Sequence, residues 1–221
     1  MKRSHTPSFV LTLKLNTSAA DERELGTRFT IALRLQNLCI THAKKQLLSM
    51  RMDPAWKKAS EDYFSGEGNR GKNGREVLQR LRLTYGLSEN QFQSWLKPHQ
   101  QQVRDRIDSN TGQRIASNVW HAVQTVLFQD GRQLREKEPD EFRSMEGKTN
   151  RSGIRFQGGR LVWNGLKIQP RRKKKDVYAE EALTHPIKYC RIVRKKLGER
   201  WHYYLQLILE GTPPEKRAAK K

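Results

Sequence analysis

The stretch SFVLTLKLN, residues 8–16, places a large apolar side chain at every second position. Phe9, Leu11, Leu13 and Leu15 share one parity. Because residues of one parity lie on one face of a strand, the stretch predicts a half-buried β-strand. A strand of similar texture, WHYYLQLIL at residues 201–209, comes only near the other end of the chain. We expect the first strand to join the late strands in one sheet, with the intervening helices inserted.

Apolar residues at helical spacing occupy much of the region between those two strands. They predict a long helix over residues 20–52, a short helix over 76–85 and a last helix over 111–129. A capping box, residues 88–91, predicts the start of one further helix, which Pro98 is expected to break or bend. Residues 63–75 are rich in glycine, asparagine and charge, which predicts a loop.

Period-two patterns return after residue 142. Asn164 and Gly165 separate two short apolar runs and predict a two-residue hairpin, since both residues tolerate the positive φ of a type I′ turn. A second hairpin is predicted to join residues 187–195 to residues 201–209. The fold class is therefore α+β, a small β-barrel or sheet of the N-terminal strand plus the C-terminal strands, interrupted by an inserted helical bundle. The predicted parts are residues 1–19, a first strand; 20–142, the helical insertion; 143–211, the remaining β-domain; and 212–221, a basic linker tail.

Positive charge is concentrated in the later strands. Residues 143–221 hold 21 Lys and Arg against 7 Asp and Glu, a net of +14 within the +21 of the whole chain. Folded strands with such an excess of positive charge indicate a polyanionic ligand. Nucleic acid is the commonest one, because each phosphate neutralised by the protein releases condensed counterions and so favours binding. The residues expected to contact phosphate are Lys148, Arg151, Arg155, Arg171, Arg172, Lys173, Lys174, Lys175, Arg191, Arg194, Lys195 and Lys196.

Three further residues are candidates for contact with bases. Tyr204 alternates away from the leucines of its strand, so we expect it to be exposed and able to stack on a base. Trp201 and Tyr203 share the parity of those leucines and are expected in the core. Asn118 and Gln124 lie on the more polar side of the helix over 111–129 and carry amides that can read base edges, although any amphipathic helix has such a side.

The motifs of catalysis and metal binding are missing from the sequence. The six histidines lack ligand spacing, and no Walker A, G-x-S-x-G or H-E-x-x-H pattern occurs. No acidic residue of the later part stands mid-strand, where a two-metal nuclease would need it. Cys39 and Cys190 are expected to be buried free thiols. We therefore predict no catalytic residue, metal ligand or cofactor in this chain, and the lack of 18 consecutive apolar residues predicts no membrane span.

Three segments resemble the TnpB family, the RNA-guided endonucleases encoded by insertion sequences and also called OrfB transposases. These segments are SMEGKTNRSGIRF at 144–156, HPIKYCRIVRKKLGERWHYY at 185–204 and AVQTVLF at 122–128. The family includes relatives of the compact type V CRISPR effectors. The resemblance implies a wedge-like β-barrel split by a helical recognition insertion. It also implies that both parts hold a guide RNA, the guide–target heteroduplex and target-adjacent DNA, with base pairing supplying sequence specificity.

The resemblance further implies a nuclease domain outside this sequence. In the family a RuvC domain opens with an Asp-x-Gly strand after a proline-containing exit similar to residues 211–214, and this sequence stops at Lys221 before such a strand. We therefore expect the nucleic-acid-binding half of a TnpB-like protein, without catalysis of its own, in a prokaryotic cytoplasm and on the nucleoid when bound to DNA. Two alternatives stay open: half of a split RNA-guided DNA endonuclease or CRISPR type V-like effector, whose RuvC-type nuclease is a separate chain, and a generic basic RNA-binding protein.

Overall fold

Two antiparallel sheets and a set of helices form the fold, and the predicted α+β class is confirmed. The computed structural model describes residues 6–128, 133–171 and 176–215. In chain order the elements are β1 (Ser8–Lys14), α1 (Ala19–Arg51), α2 (Pro54–Ser65), α3 (Asn69–Thr84), α4 (Glu89–Gln101), α5 (Ser109–Phe128), β2 (Ser144–Glu146), β3 (Arg155–Gln157), β4 (Arg160–Trp163), β5 (Leu166–Ile168), α6 (Val177–Ala182), β6 (Ile187–Leu197) and β7 (Arg200–Glu210).

The first sheet has four strands in the order β1-β7-β6-β2. Strand β1 pairs antiparallel with β7, placing Leu11 opposite Leu207 and Leu13 opposite Leu205. The expectation that the N-terminal strand joins the late strands is therefore confirmed. Residues of β1 alternate between exposed and buried, as the sequence predicts. We call the side that carries these leucines the inner face of the first sheet and the opposite side its outer face.

The second sheet has three strands in the order β3-β4-β5. Asn164 and Gly165 adopt φ angles of 40° and 79° between β4 and β5, which confirms the predicted hairpin. A bridge between Leu15 and Pro170 joins this sheet to the end of β1. On its other side, the backbone N–H of Asn150 donates to the Lys188 carbonyl on β6 at 3.1 Å. The two sheets consequently enclose a shared core that includes leucines from both.

Helix α1 connects the sheets to the other helices. It begins with a capping box in which the Ser18 hydroxyl accepts from the Asp21 N–H while the Asp21 carboxylate accepts from the Ser18 N–H. Near its start, Phe29 is fully buried and lies 6.0 Å, centroid to centroid, from the ring of Tyr203 on the inner face. Further along, the helix buries a continuous apolar stripe that ends at Met50. Its first half therefore covers the sheet, and its second half packs within the bundle.

A guanidinium ties α1 to the second sheet. Arg28 is 3% exposed, and its two terminal nitrogens each donate at 2.9 Å, to the carbonyls of Trp163 and Asn164. Its Nε donates to Glu24 at 2.8 Å, and the guanidinium carbon lies 4.5 Å from the centre of the Trp163 ring. These bonds satisfy a charged group that would be costly to bury without partners.

One local prediction is wrong, and a second is wrong in part. The loop predicted over residues 63–75 is helical except for residues 66–68, because α2 continues to Ser65 and α3 starts at Asn69. Gly74 serves helix packing, because a Cβ there would lie only 2.6 Å from the Tyr63 nitrogen on α2. Pro98 lies inside α4 and does not break it. The capping box at Ser88 is confirmed as the start of α4. Within the described residues, no helix is both long and apolar enough to cross a membrane.

Candidate nucleic-acid interface

The outer face of the first sheet carries the polar and aromatic side chains of its strands, because their leucines fill the inner face. Cross-strand pairing aligns these side chains in rows; for example, Lys14, Tyr204 and Val193 form one row. The full set is Ser8, Val10, Thr12 and Lys14 on β1; Arg200, His202, Tyr204, Gln206, Ile208 and Glu210 on β7; Tyr189, Arg191, Val193, Lys195 and Leu197 on β6; and Ser144 and Glu146 on β2.

Lys195 and Tyr204 are in contact on this face. The Lys195 ammonium lies 5.3 Å from the centre of the Tyr204 ring, within the range of a cation–π interaction. Lys195 is exposed and Tyr204 is half-buried. Both residues were predicted from the sequence as binding residues, and strand register brings them together. The pair combines a mobile positive charge with an aromatic surface.

Glu146 holds two arginines at the edge of the outer face. Its carboxylate oxygens lie 2.5 Å from a terminal nitrogen of Arg191 on β6 and 2.5 Å from a terminal nitrogen of Arg114 on α5. The Glu146 side chain is 14% exposed, whereas the two arginine side chains are each about one-third exposed. The ion pairs therefore cancel part of the charge of Arg191 and fasten α5 to the sheet edge, while both arginine side chains remain partly exposed.

Arg194 lies on the inner face and is 6% exposed. Its Nε donates to the Phe142 carbonyl at 3.1 Å and a terminal nitrogen donates to the Pro139 carbonyl at 2.5 Å. The guanidinium carbon also lies 4.5 Å from the Phe29 ring centre and 4.3 Å from that of Trp201. Burial lowers the pKa of this guanidinium. Its place among the predicted phosphate contacts is therefore corrected: Arg194 supports the core.

Arg171 borders the outer face, because its backbone N–H donates to the Lys14 carbonyl at 2.7 Å. Its side chain is exposed. The next four predicted cations, Arg172, Lys173, Lys174 and Lys175, lie outside the described residues.

The remaining predicted cations are spread over neighbouring surfaces. Lys148 is exposed just beyond β2 and donates to the Gln113 amide oxygen on α5 at 3.0 Å. Arg151 is exposed in the following turn, and Arg155 lies on β3 of the second sheet. Lys196 is exposed and sits 3.5 Å from the carboxylate of Asp140. These residues do not share the outer face with Lys195.

The two amide residues predicted on α5 have different surroundings. Asn118 is exposed. Gln124 is half-buried, and its amide oxygen accepts a 2.6 Å hydrogen bond from Arg82 on α3. Burial lowers the pKa of Arg82. Gln124 thus braces two helices against each other, whereas Asn118 is free to meet a ligand from the solvent side.

A cavity of about 830 Å³ lies between α4, the start of α5 and the turn that contains Asn164. Its lining is rich in carboxamides, which both donate and accept hydrogen bonds and so suit base edges. They belong to Asn90, Gln93, Gln100, Gln101, Gln113 and Asn164. Sequence reasoning missed this cavity because its residues come from three segments with no shared motif.

In residues 6–128, 133–171 and 176–215, no three His, Cys, Asp or Glu side chains converge as a metal site would require. Cys39 and Cys190 are free and buried, as predicted. Burial raises the pKa of each thiol from 9.0 to about 12. Neither thiol therefore forms a thiolate at neutral pH.

Comparison with protein-family models gives no match, and comparison with curated proteins gives none either. Nineteen chains of solved structures match. One of them belongs to the cryo-EM structure of a CRISPR-Cas12f ternary complex, with 12% sequence identity and a TM-score of 0.37. The match covers 91% of this chain and 46% of that chain, so this protein spans less than half of that neighbour's length.

Proposed function

We propose that this protein binds nucleic acid through the outer face of its first sheet. The observation that carries the proposal is the placement of Lys14, Arg191 and Lys195 on one sheet surface that also presents tyrosine rings. Arg171 adds a further exposed cation beside Lys14. A polyanion that neutralises these groups releases its condensed counterions, which favours binding.

We further propose that the protein acts as the wedge and recognition half of a TnpB-like RNA-guided nuclease. The motif segments at 144–156 and 185–204 that resemble the family supply β2, most of β3, all of β6 and the first five residues of β7. In this role the sheets and helices hold a guide RNA, its heteroduplex with target DNA and target-adjacent DNA, and a RuvC-type nuclease domain in another chain segment or protein makes the cut. The expected site of action is the prokaryotic cytoplasm, on the nucleoid when DNA is bound.

Fluorescence anisotropy with a labelled stem-loop RNA tests the binding proposal. Affinity is expected to fall by roughly tenfold or more between about 50 and 200 mM salt, because several phosphate contacts are involved. A variant with glutamine at Lys14, Arg171 and Lys195 is expected to bind more weakly and with a shallower salt slope. The matched control replaces Lys57, Lys58 and Arg80, three exposed cations on α2 and α3. The proposal that the outer face is the binding surface would be contradicted if both variants lost equal affinity for the RNA. An affinity that does not change with salt concentration would contradict it as well.

The specific role is tested by the RNA that co-purifies with the protein from a host carrying its gene neighbourhood. A single structured RNA from a transposon end, enriched over other cellular RNA, is expected. A broad mixture of cellular RNA would instead favour a generic RNA-binding protein.

A further inference from the structure

We infer that the outer face takes a single-stranded nucleic-acid segment, with Tyr189 and Tyr204 each stacking on a different base. This inference rests on the proposed function and specifies the form of nucleic acid that this face recognises.

The separation of the two tyrosines sets how they can be used. Tyr189 on β6 is opposite Ile208 on β7, four residues from Tyr204 on the same strand. At about 3.4 Å per residue, and with one strand spacing of about 4.8 Å, the two positions are roughly 14 Å apart. Stacked bases are spaced at about 3.4 Å, so the rings cannot sandwich one base. They are placed to meet two bases of an extended strand.

Each tyrosine has its own cation. The Lys195 ammonium lies 5.3 Å from the Tyr204 ring centre, and the Arg114 guanidinium carbon lies 5.8 Å from the Tyr189 ring centre. A single strand presents a base and a phosphate at each nucleotide. A ring with a neighbouring cation therefore matches one nucleotide of the ligand: the ring stacks on the base, and the cation contacts the phosphate.

Gln206 lies between the two tyrosines and is loosely held. Its amide nitrogen is 3.4 Å from the Thr12 hydroxyl, and its amide oxygen is 3.5 Å from a terminal nitrogen of Arg191. Both distances are at the long end for a hydrogen bond. The amide is consequently able to turn toward the edge of an unstacked base at little cost.

Single strands fit this surface better than duplexes do. In a duplex the faces of the bases are already stacked on one another, so a duplex can use the cations but not the tyrosine rings.

A protein partner would cover the apolar Val10, which is 48% exposed. It would also remove Lys14, Arg191 and Lys195 from water without phosphates to compensate them. The positive charge of the outer face therefore favours nucleic acid over a protein partner.

The test compares leucine and phenylalanine substitutions at both tyrosines, using a labelled oligouridine and a blunt RNA duplex of equal length. Tyr204→Leu and Tyr189→Leu are each expected to weaken oligouridine binding by roughly 5- to 150-fold, the usual contribution of one base–aromatic stack. Tyr204→Phe and Tyr189→Phe keep the ring and are expected to stay within about twofold of the wild type. Duplex affinity is expected to be the same for all five proteins. Circular dichroism and thermal melting establish that each variant is folded.

The outcomes distinguish failure of the stacking inference from failure of the proposed function. If the wild type binds neither RNA, the proposed function fails. If the wild type binds RNA but the leucine variants lose nothing, or lose duplex and single-strand affinity equally, the stacking inference fails and the proposed function stands. Photocrosslinking with a 5-iodouridine oligonucleotide gives a second readout, and crosslinks at Tyr189 or Tyr204 are expected. Crosslinks confined to the helices, or dimerisation in solution that Val10→Lys abolishes, would overturn the inference.

Discussion

The carboxylate of Asp108 accepts a 2.7 Å hydrogen bond from the indole Nε1 of Trp163, which joins the start of α5 to strand β4. The same carboxylate accepts from the backbone N–H groups of Asn110 and Thr111 and from the Thr111 hydroxyl. Trp163 is fully buried. One side chain therefore starts a helix and attaches that helix to the second sheet.

Replacing Asp108 should loosen this junction. Asp108→Ala leaves the indole N–H without its acceptor and removes the helix cap, so the free energy of unfolding is expected to fall by about 2–4 kcal/mol. Asp105→Ala is the control, because the Asp105 side chain is 64% exposed and pairs with its neighbour Arg106. Urea denaturation followed by tryptophan fluorescence measures both. Equal stability of the two variants would show that the Asp108 bonds contribute nothing net.

Arg194 and Lys195 are consecutive cations with predicted opposite effects. Arg194→Ala removes a buried group that bonds two carbonyls and packs between two rings, so stability is expected to fall by about 2–4 kcal/mol. Lys195→Ala is expected to change stability by less than about 0.5 kcal/mol. It should nevertheless weaken RNA binding and lower the salt slope by about 0.7–0.9, the value of one phosphate contact. Denaturation and anisotropy on both variants check the contrast, and a reversed pattern would mean that the two faces of β6 are misassigned.

The buried thiols predict a loss of stability in alkali. The pKa of Cys39 and of Cys190 is raised from 9.0 to about 12 in the folded protein. Below pH 9 the thiols are protonated in both states, and stability is unaffected. As pH rises from 9 toward 12, the unfolded thiols lose protons that the folded ones keep, so stability falls by about 1.4 kcal/mol per pH unit for each thiol.

A variant with alanine at both cysteines provides the comparison for that pH series. Other titrating groups are shared by the two proteins, so the difference between their pH slopes reports the thiols alone. Urea denaturation at several pH values on either side of 9 is the measurement. Identical slopes would contradict the raised pKa values.

In the turn between β4 and β5, the stability cost of replacing Gly165 should depend on backbone conformation alone. Gly165 has φ of 79°, and a Cβ at this position would meet no atom within 4 Å. Gly165→Val is therefore expected to cost about 1–2 kcal/mol through backbone strain. Gly165→Asn should cost less than half as much, because asparagine tolerates positive φ. Thermal melting of both variants checks the order.

Local periodicity was sufficient to predict strands β1, β4, β5, β6 and β7, the α1 helix and both hairpins, since these patterns depend on near neighbours. The faces of β7 were also predictable, and Tyr203 and Tyr204 lie on the sides that their parity indicates. Glycines misled the prediction at residues 63–75. There they permit a close helix contact, and composition alone does not distinguish that use from a loop.

The roles of individual charged residues were less predictable. Arg191 and Arg194 come from one basic run, yet one is paired with Glu146 at the sheet edge and the other is buried. Arg191 meets Glu146 on β2, a strand of three residues that is distant in sequence and too short to show a period. Arg194 is held by the carbonyls of Pro139 and Phe142, which precede that strand. Gln124 likewise meets Arg82 only because α3 and α5 pack together.

The pairing of β1 with β7 also constrains the order of folding during synthesis. Ser8 has Glu210 as its partner, so roughly 200 residues are translated before the first strand can pair fully. At about 5–20 residues per second this delay is roughly 10–40 s. Throughout that interval a nascent strand with alternating leucines lacks the strand with which it pairs in the native sheet. Ribosome-bound chaperones, or the helices that emerge next, must shield it, and production of this protein should respond to translation speed.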